Sequence, residues 1–324
     1  MYKFIGIDVS KQTFDVYSLS KEAKPLIICL DNNKRGFAKL IKTYEKDGVY
    51  VMEATGPYYV QLATYLYKRG IKVSVVNPLI IRRYAQMRLI RAKTDKKDAQ
   101  TIFEYASQNS LKLWKPDSQE VINMQQILTA IELLNKQITA TGNQLKSFKS
   151  SGNADNMIKN SLGKIIKKLK FEKLNLEKRL NEIIDEHFTE TRDLLKTIPG
   201  IGPKAIAVLI AITNNFQKFI HYKQLIAYVG LSPRIYSSGT SIKGKGHICK
   251  MGKSQVRKQM YLSAWSAKFH NKACIELYER LKNKNKNERV IKIAIANKLL
   301  KQAFAIVNNK QIYNSSYVSK LNVA

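Results

Sequence analysis

The stretch Tyr2-Lys3-Phe4-Ile5-Gly6-Ile7-Asp8-Val9-Ser10-Lys11-Gln12-Thr13-Phe14-Asp15-Val16-Tyr17-Ser18-Leu19 decides the fold of the first third of the chain. Tyr2–Val9 and Phe14–Leu19 read as two β-strands joined by a short polar turn, with Leu26–Leu30 as a third. Outward from there the pattern changes. Arg35–Tyr44 is helix-like, Val49–Met52 a short buried strand that stops at Glu53, and Gly56-Pro57 marks a break. Tyr58–Lys68 then reads as a helix, Lys72–Val76 as a strand and Leu79–Leu89 as a helix. Three consecutive strands followed by strand–helix alternation predict a mixed sheet covered by helices, an α/β domain over residues 1–115.

Residues 117–148 and 155–188 carry long helical patterns, separated by the turn chemistry of Ser150-Ser151-Gly152-Asn153-Ala154-Asp155. Leu162, Ile166, Leu169, Leu176, Leu180 and Ile183 follow a 4–3 spacing that Lys173 interrupts, and Val121, Met124, Leu128 and Ile131 do the same. That spacing predicts an antiparallel helical hairpin or an intermolecular coiled coil over 116–190, acting as a spacer or dimer arm. From 191 to 324 the chain reads as mainly helical, broken by a loop at about 230–253 rich in Gly, Ser and Lys. Its last dozen residues read as a tail.

Charge is distributed unevenly over these regions. Lys and Arg number 56 against 24 Asp and Glu, a formal +32. Residues 1–115 hold 21 basic and 10 acidic side chains, residues 116–190 hold 11 and 10, and residues 191–324 hold 24 against Asp193, Glu276, Glu279 and Glu288. Such a surface attracts polyanions and gains affinity by releasing their counterions, which points to nucleic acid. A general compositional bias toward Lys would not spare the middle third. Cys29, Cys249 and Cys274 are too few and scattered for a disulfide framework. No segment is apolar enough to span a membrane and no signal-peptide pattern is visible, so a cytosolic protein is expected.

In so basic a chain the acids stand out. Asp8 and Glu53 each end an apolar strand, and Asp95 and Asp98 share a face at a helix start that Thr94 is placed to cap. Singly, each has an ordinary explanation as a strand end, a cap or a dipole partner. Together, four carboxylates suffice to hold two divalent ions for phosphoryl transfer, which sit about 3.5–4 Å apart in such sites. No His lies within residues 1–186, so imidazole acid–base chemistry is excluded there.

In the basic third, Thr197-Ile198-Pro199-Gly200-Ile201-Gly202-Pro203-Lys204-Ala205 lies between helical patterns and reads as a helix–hairpin–helix motif, with Gly200, Gly202 and Lys204 as candidate phosphate contacts. The bland reading is a simple helix–helix turn. Further on, Gly230-Leu231-Ser232-Pro233-Arg234-Ile235-Tyr236-Ser237-Ser238-Gly239-Thr240 runs into Lys243, Lys245, Lys250, Lys253 and Arg257, and with Arg234 these cations are candidates for binding nucleic acid. A serine among so many cations can have its alkoxide stabilised for attack on phosphate, although a serine beside glycine is more often only a loop. Gly252-Lys253-Ser254 mimics the end of a P-loop, but position 247 is His where that motif needs Gly, so ATP binding is not supported.

The blocks Gly6-Ile7-Asp8-Val9-Ser10-Lys11, Glu53-Ala54-Thr55-Gly56-Pro57-Tyr58 and Lys93-Thr94-Asp95-Lys96-Lys97-Asp98-Ala99 resemble those of the DEDD transposases of the bacterial insertion-sequence one-ten family, which are similar to pilin-gene invertases. Pro199-Gly200-Ile201-Gly202 and the blocks around Gly230-Leu231-Ser232-Pro233, Ser238-Gly239 and Lys250-Met251-Gly252 resemble that family's C-terminal domain, in the same order. The resemblance implies a RuvC-like (RNase H-like) N-terminal domain with Asp8, Glu53, Asp95 and Asp98 as a tetrad for Mg²⁺ or Mn²⁺. It also implies a catalytic serine at Ser238, with Ser237 as the adjacent rival. Family members imply further a bridge RNA as guide, a dimer or tetramer, a composite active site across subunits, and a bacterial, nucleoid-associated setting. Two other readings compete: a RuvC-type junction nuclease using water, and a non-catalytic nucleic-acid-binding scaffold.

Overall fold

The computed structural model describes residues 4–20, 22–44, 47–90, 94–153, 155–234, 237–238, 242–243 and 246–316, with only the backbone at 237, 238, 242 and 243. The chain divides into two compact units, 1–116 and 117–324.

The first unit is α/β. Its elements run β1 (Phe4–Val9), β2 (Thr13–Leu19), β3 (Pro25–Asp31), α1 (Lys34–Thr43), β4 (Val49–Glu53), α2 (Tyr59–Tyr67), β5 (Lys72–Val76), α3 (Pro78–Met87) and α4 (Asp95–Gln108). The five strands form one mixed sheet in the order β3-β2-β1-β4-β5. β1, β2 and β3 pair antiparallel, whereas β4 runs parallel to β1 and β5 parallel to β4. The two-residue side-chain period divides the strands between the faces. Ile5, Ile7, Phe14, Val16, Tyr50 and Met52 pack with Phe37 and Leu40 of α1 and Leu62 and Leu66 of α2. Val49, Val51 and Val76 face the other way, onto Ile81 of α3 and Ile102 and Ala106 of α4. Beyond α4 the backbone returns to the edge strand, where Trp114 donates its N–H to Val73 O at 2.7 Å. The expected elements are all present, with ends displaced by a residue or two.

The second unit is helical: α5 (Gln119–Ser150), α6 (Asn156–His187), α7 (Thr189–Lys196), α8 (Pro203–Thr213), α9 (Tyr222–Val229), α10 (Ser254–His270), α11 (Lys272–Asn283) and α12 (Glu288–Asn309). Every residue from Ala205 to Thr213 of α8 is buried, as an all-round apolar helix must be. Met124 and Leu128 of α5 and Leu180, Ile183 and Ile184 of α6 enter the same core as α8, α10 and α12, so the roots of the long helical pair are part of this unit.

Two expectations need correction. The 230–253 segment, expected as a loop, is not wholly irregular: β6 (Pro233–Arg234) pairs with β9 (His247–Ile248), and β7 (Ser237–Ser238) with β8 (Ile242–Lys243). Nor do the last dozen residues begin as a free tail. Tyr313 donates its backbone N–H to Thr197 Oγ1 at 2.9 Å, and its hydroxyl hydrogen-bonds Asn271 Oδ1 at 3.1 Å. Polar neighbours hid that anchor from a reading of composition.

Candidate active site

The alternation that sends Ile5, Ile7 and Val9 to one face of β1 leaves Gly6 and Asp8 on the face covered by α4. Gly6 is what lets α4 settle there. A Cβ on it would stand 2.3 Å from Ala99 O and 2.5 Å from Phe103 N, so the helix backbone rests directly on the strand. Thr94 caps α4 as its spacing predicts, accepting from Lys97 N at 3.3 Å, which fixes Asp95 and Asp98 in the first turn. On β4, Met52 is level with Ile7, so Glu53 falls at the level of Asp8, at the carboxyl ends of two parallel strands. Thr55 Oγ1 donates to Glu53 Oε1 at 2.6 Å.

A fifth carboxylate, absent from the sequence reading, belongs to the same face. Asp15 lies directly across from Asp8 in the β1–β2 pair and Cys29 across from Asp15 in the next, and Asp15 is only 7% exposed. Cys29 Sγ lies 3.8 Å from Asp15 Oδ2. Strand alternation could have revealed it once the turn length was known, because residues opposite across a hairpin share a face.

The electrostatics tie the group together. The carboxyl of Asp8 is pushed up to about 7, first by burial and then by the negative charges of Asp98, Glu53, Asp95 and Asp15. Asp15 is raised as well, by burial and then by Asp95, with the Cys29 hydrogen bond and then Lys96 opposing. As the side chains lie, no three His, Cys, Asp or Glu among the described residues stand close enough to hold one metal ion. The donor set nevertheless fits a hard divalent cation, which takes carboxylate oxygens and would relieve the repulsion centred on Asp8 once the side chains turn toward it.

The other candidates lie in the second unit. Gly200 has φ +98°, and a Cβ there would stand 2.6 Å from that of Ala267, so this glycine is packed against α10. Pro199 O accepts from Asn271 Nδ2 at 3.3 Å. Gly202, exposed, precedes α8 and leaves that helix's N-terminus without a side-chain cap, and exposed Lys204 pairs with Glu177 at 3.4 Å. Arg234 is exposed on β6 and pairs across to His247. Lys250 and Lys253 are exposed at the loop's return, whereas half-buried Arg257 donates to Val229 O at 2.7 Å and so also anchors the end of α9. Ser237, Ser238 and Lys243 are placed by backbone alone, in β7 and β8, and Lys245 lies outside the described residues.

An α/β unit with carboxylates at its strand ends, followed by a helical unit with a basic C-terminal part, fits a protein that acts on nucleic acid. Comparison with known proteins narrows it. Residues 5–148 match the DEDD IS110 transposase model, and residues 192–279 match that of the transposase IS116/IS110/IS902 family. The chain belongs to this IS110 family of transposases, enzymes that break and rejoin DNA. It is 29% identical over 322 residues to the pilin gene-inverting protein of Moraxella lacunata, covering 96% of this chain and 97% of that one. The pilin gene-inverting protein of Moraxella bovis matches over the same span at 29%. The transposase for insertion sequence element IS1111A of Coxiella burnetii is 24% identical over 343 residues, covering 96% and 91% of the two chains. Among the described residues no helix is long and apolar enough to cross a membrane.

Proposed function

We infer that this chain is a site-specific recombinase in which a Mg²⁺-holding acidic tetrad, Asp8, Glu53, Asp95 and Asp98, works with Ser238 as nucleophile. The observation that carries the reading is the convergence on Asp8: the three other acids of the tetrad raise its carboxyl, Glu53 from the end of β4 and Asp95 and Asp98 from the first turn of α4. A β1–β2–β3 meander followed by parallel β4 and β5 supports a RuvC-like, RNase H-like identity for the first unit. Bound there, Mg²⁺ or Mn²⁺ would act as a Lewis acid on phosphate oxygens.

Ser238 Oγ would attack a DNA phosphorus, forming a serine–phosphate ester while the bond to the departing sugar oxygen breaks. The serine proton ends on that released hydroxyl. A sugar hydroxyl of the partner strand reverses the step, so bond energy is conserved and no cofactor is consumed. The cations Arg234, Lys243, Lys245, Lys250, Lys253 and Arg257, with the Gly200–Gly202–Lys204 turn as a helix–hairpin–helix, would hold the phosphate backbone. The basic surface also suits a structured guide RNA. Exposed Ile165, Phe171 and Leu174 on α6 support a homo-oligomer, dimer or tetramer.

The test is a covalent-adduct assay with native element ends, target and guide. A phosphoserine-linked peptide at 238, lost in Ser238→Ala and in Asp8→Ala, is expected. Cleavage without an adduct that survives Ser238→Ala would replace this reading with a water-using nuclease. Salt-sensitive binding with no strand breakage in Mg²⁺ would leave only a scaffold.

A further inference from the structure

A cavity of about 330 Å³ opens in the second unit at the root of the loop that carries Ser238. Its walls are built by the loop's two ends. Cys249 N–H donates to Ser232 O at 2.9 Å, Lys250 N–H to Gly230 O at 3.1 Å, and Lys253 N–H to Tyr228 O at 3.1 Å. Gly252, at φ +141°, comes so near that a Cβ would lie 2.1 Å from Tyr228 O, so the return strand is held tightly against the end of α9. The floor is apolar: Leu231, Ile248, Leu262, Ile293 and Ala296. The rim is cationic, with Lys250, Arg257 and Lys258, and among the described residues no acid lines the cavity. Ser254, the first residue of α10, and Tyr261 complete it, and that helix end has no side-chain cap.

We propose that this cavity receives one unpaired nucleotide, its base on the apolar floor beside Tyr261 and its phosphate at the cationic rim and the N-terminus of α10. The proposal rests on the recombinase reading and deepens it by naming what is held beside the serine loop. A volume at the small end of the roughly 300–1,000 Å³ typical of ligand sites suits a single base and not a duplex. An apolar floor has no use for a backbone phosphate, and three cations have no use for an apolar ligand; a nucleotide uses both. Seating it would fix the strand next to the loop, as enzymes acting on nucleic acid do when they take a base out of the stack.

The test compares binding of the full chain to a paired DNA duplex and to the same duplex with one bulged nucleotide, by fluorescence anisotropy, with a matched RNA pair as a second arm. The bulged form is expected to bind about tenfold tighter, within what stacking one base supplies. Ile293→Trp, which fills the floor, removes the preference and leaves paired-duplex affinity unchanged. Leu262→Glu, at the half-exposed edge of that floor, does the same by placing a carboxylate where the base would lie. A preference in DNA or in RNA supports the pocket and says which strand supplies the nucleotide. Equal binding of paired and bulged forms in both arms overturns it, as does a preference that survives both folded variants. Failure to bind any duplex would instead strike at the recombinase reading itself.

Discussion

Replacing Asp8 by Asn should stabilise the fold while abolishing recombination. The carboxyl of Asp8 moves from its ordinary 3.8 to about 7 in the folded chain. At 1.36 kcal/mol per pH unit this corresponds to an upper bound of about 4 kcal/mol. Asp8 keeps contact with solvent, and screening reduces that to roughly 1–2 kcal/mol at neutral pH. A raised carboxyl binds its proton more tightly folded than unfolded, so its contribution is fully present below about pH 4 and is lost as pH climbs toward 7. Asn carries no such charge. In EDTA at pH 7.5, Asp8→Asn should therefore melt roughly 4–10 °C above wild type in the first unit, and the gap should close as pH falls toward 4. Differential scanning calorimetry across that range reads it directly. Adding Mg²⁺ should raise the melting temperature of wild type and leave the variant where it was. A variant less stable than wild type at pH 7.5, or a gap that does not change with pH, would refute the idea that crowded negative charge governs this site.

Other positions give independent checks. Gly6→Ala drives a methyl into Ala99 O and Phe103 N, and should cost about 1–3 kcal/mol in urea unfolding and displace α4, with loss of DNA cleavage out of proportion to the loss of stability. Asp15→Asn removes one of the charges around Asp8, so the Asp8 resonance in carboxyl NMR should titrate at lower pH and Mg²⁺ should bind more weakly. Asn271→Ala leaves Pro199 O and the Tyr313 hydroxyl without their partner in a fully buried position, and should cost about 1–3 kcal/mol by chemical denaturation with Mg²⁺ binding intact. Lys258→Ala should reduce the slope of log affinity against log salt by about 1 on any DNA sequence.

Much of this was legible because the first unit obeys period two so strictly. Ile5, Ile7, Tyr50 and Met52 announce one core face, and Asp8 and Glu53 interrupt that grammar at the strand ends. Asp95 and Asp98 were visible because a capping threonine set their helical phase. Asp15 was not, because its place opposite Asp8 depends on a turn length that the residues alone leave open. Gly6 is visible in the sequence as part of a motif, yet its role as the seat of α4 depends on a helix that begins 89 positions later. The cavity floor was beyond reach for the same reason: Leu231, Leu262 and Ile293 come from three distant elements, and each alone reads as ordinary core.

Acids across the chain meet different surroundings. With 56 Lys and Arg available, several acids are clasped by cations. Asp117 is held by Lys218 at 2.8 Å, and Glu288 by Lys268 at 3.0 Å and Lys292 at 3.3 Å, a clasp whose cations also lie over Trp265. Asp8, Glu53 and Asp95 have no ion-pair partner among the described residues, although Lys96 and Lys97 sit on the same helix turn. A sequence this rich in cations leaves acids crowded and uncompensated only at a cost in stability, and a positive charge brought from outside the chain would offset that cost. The same imbalance, with its sign reversed, holds at the cavity beside the serine loop, where cations gather without an acid among the described residues. Each unit thus carries charge that the chain itself leaves unneutralised, and a divalent ion at the first together with a nucleic-acid phosphate at the second would balance both.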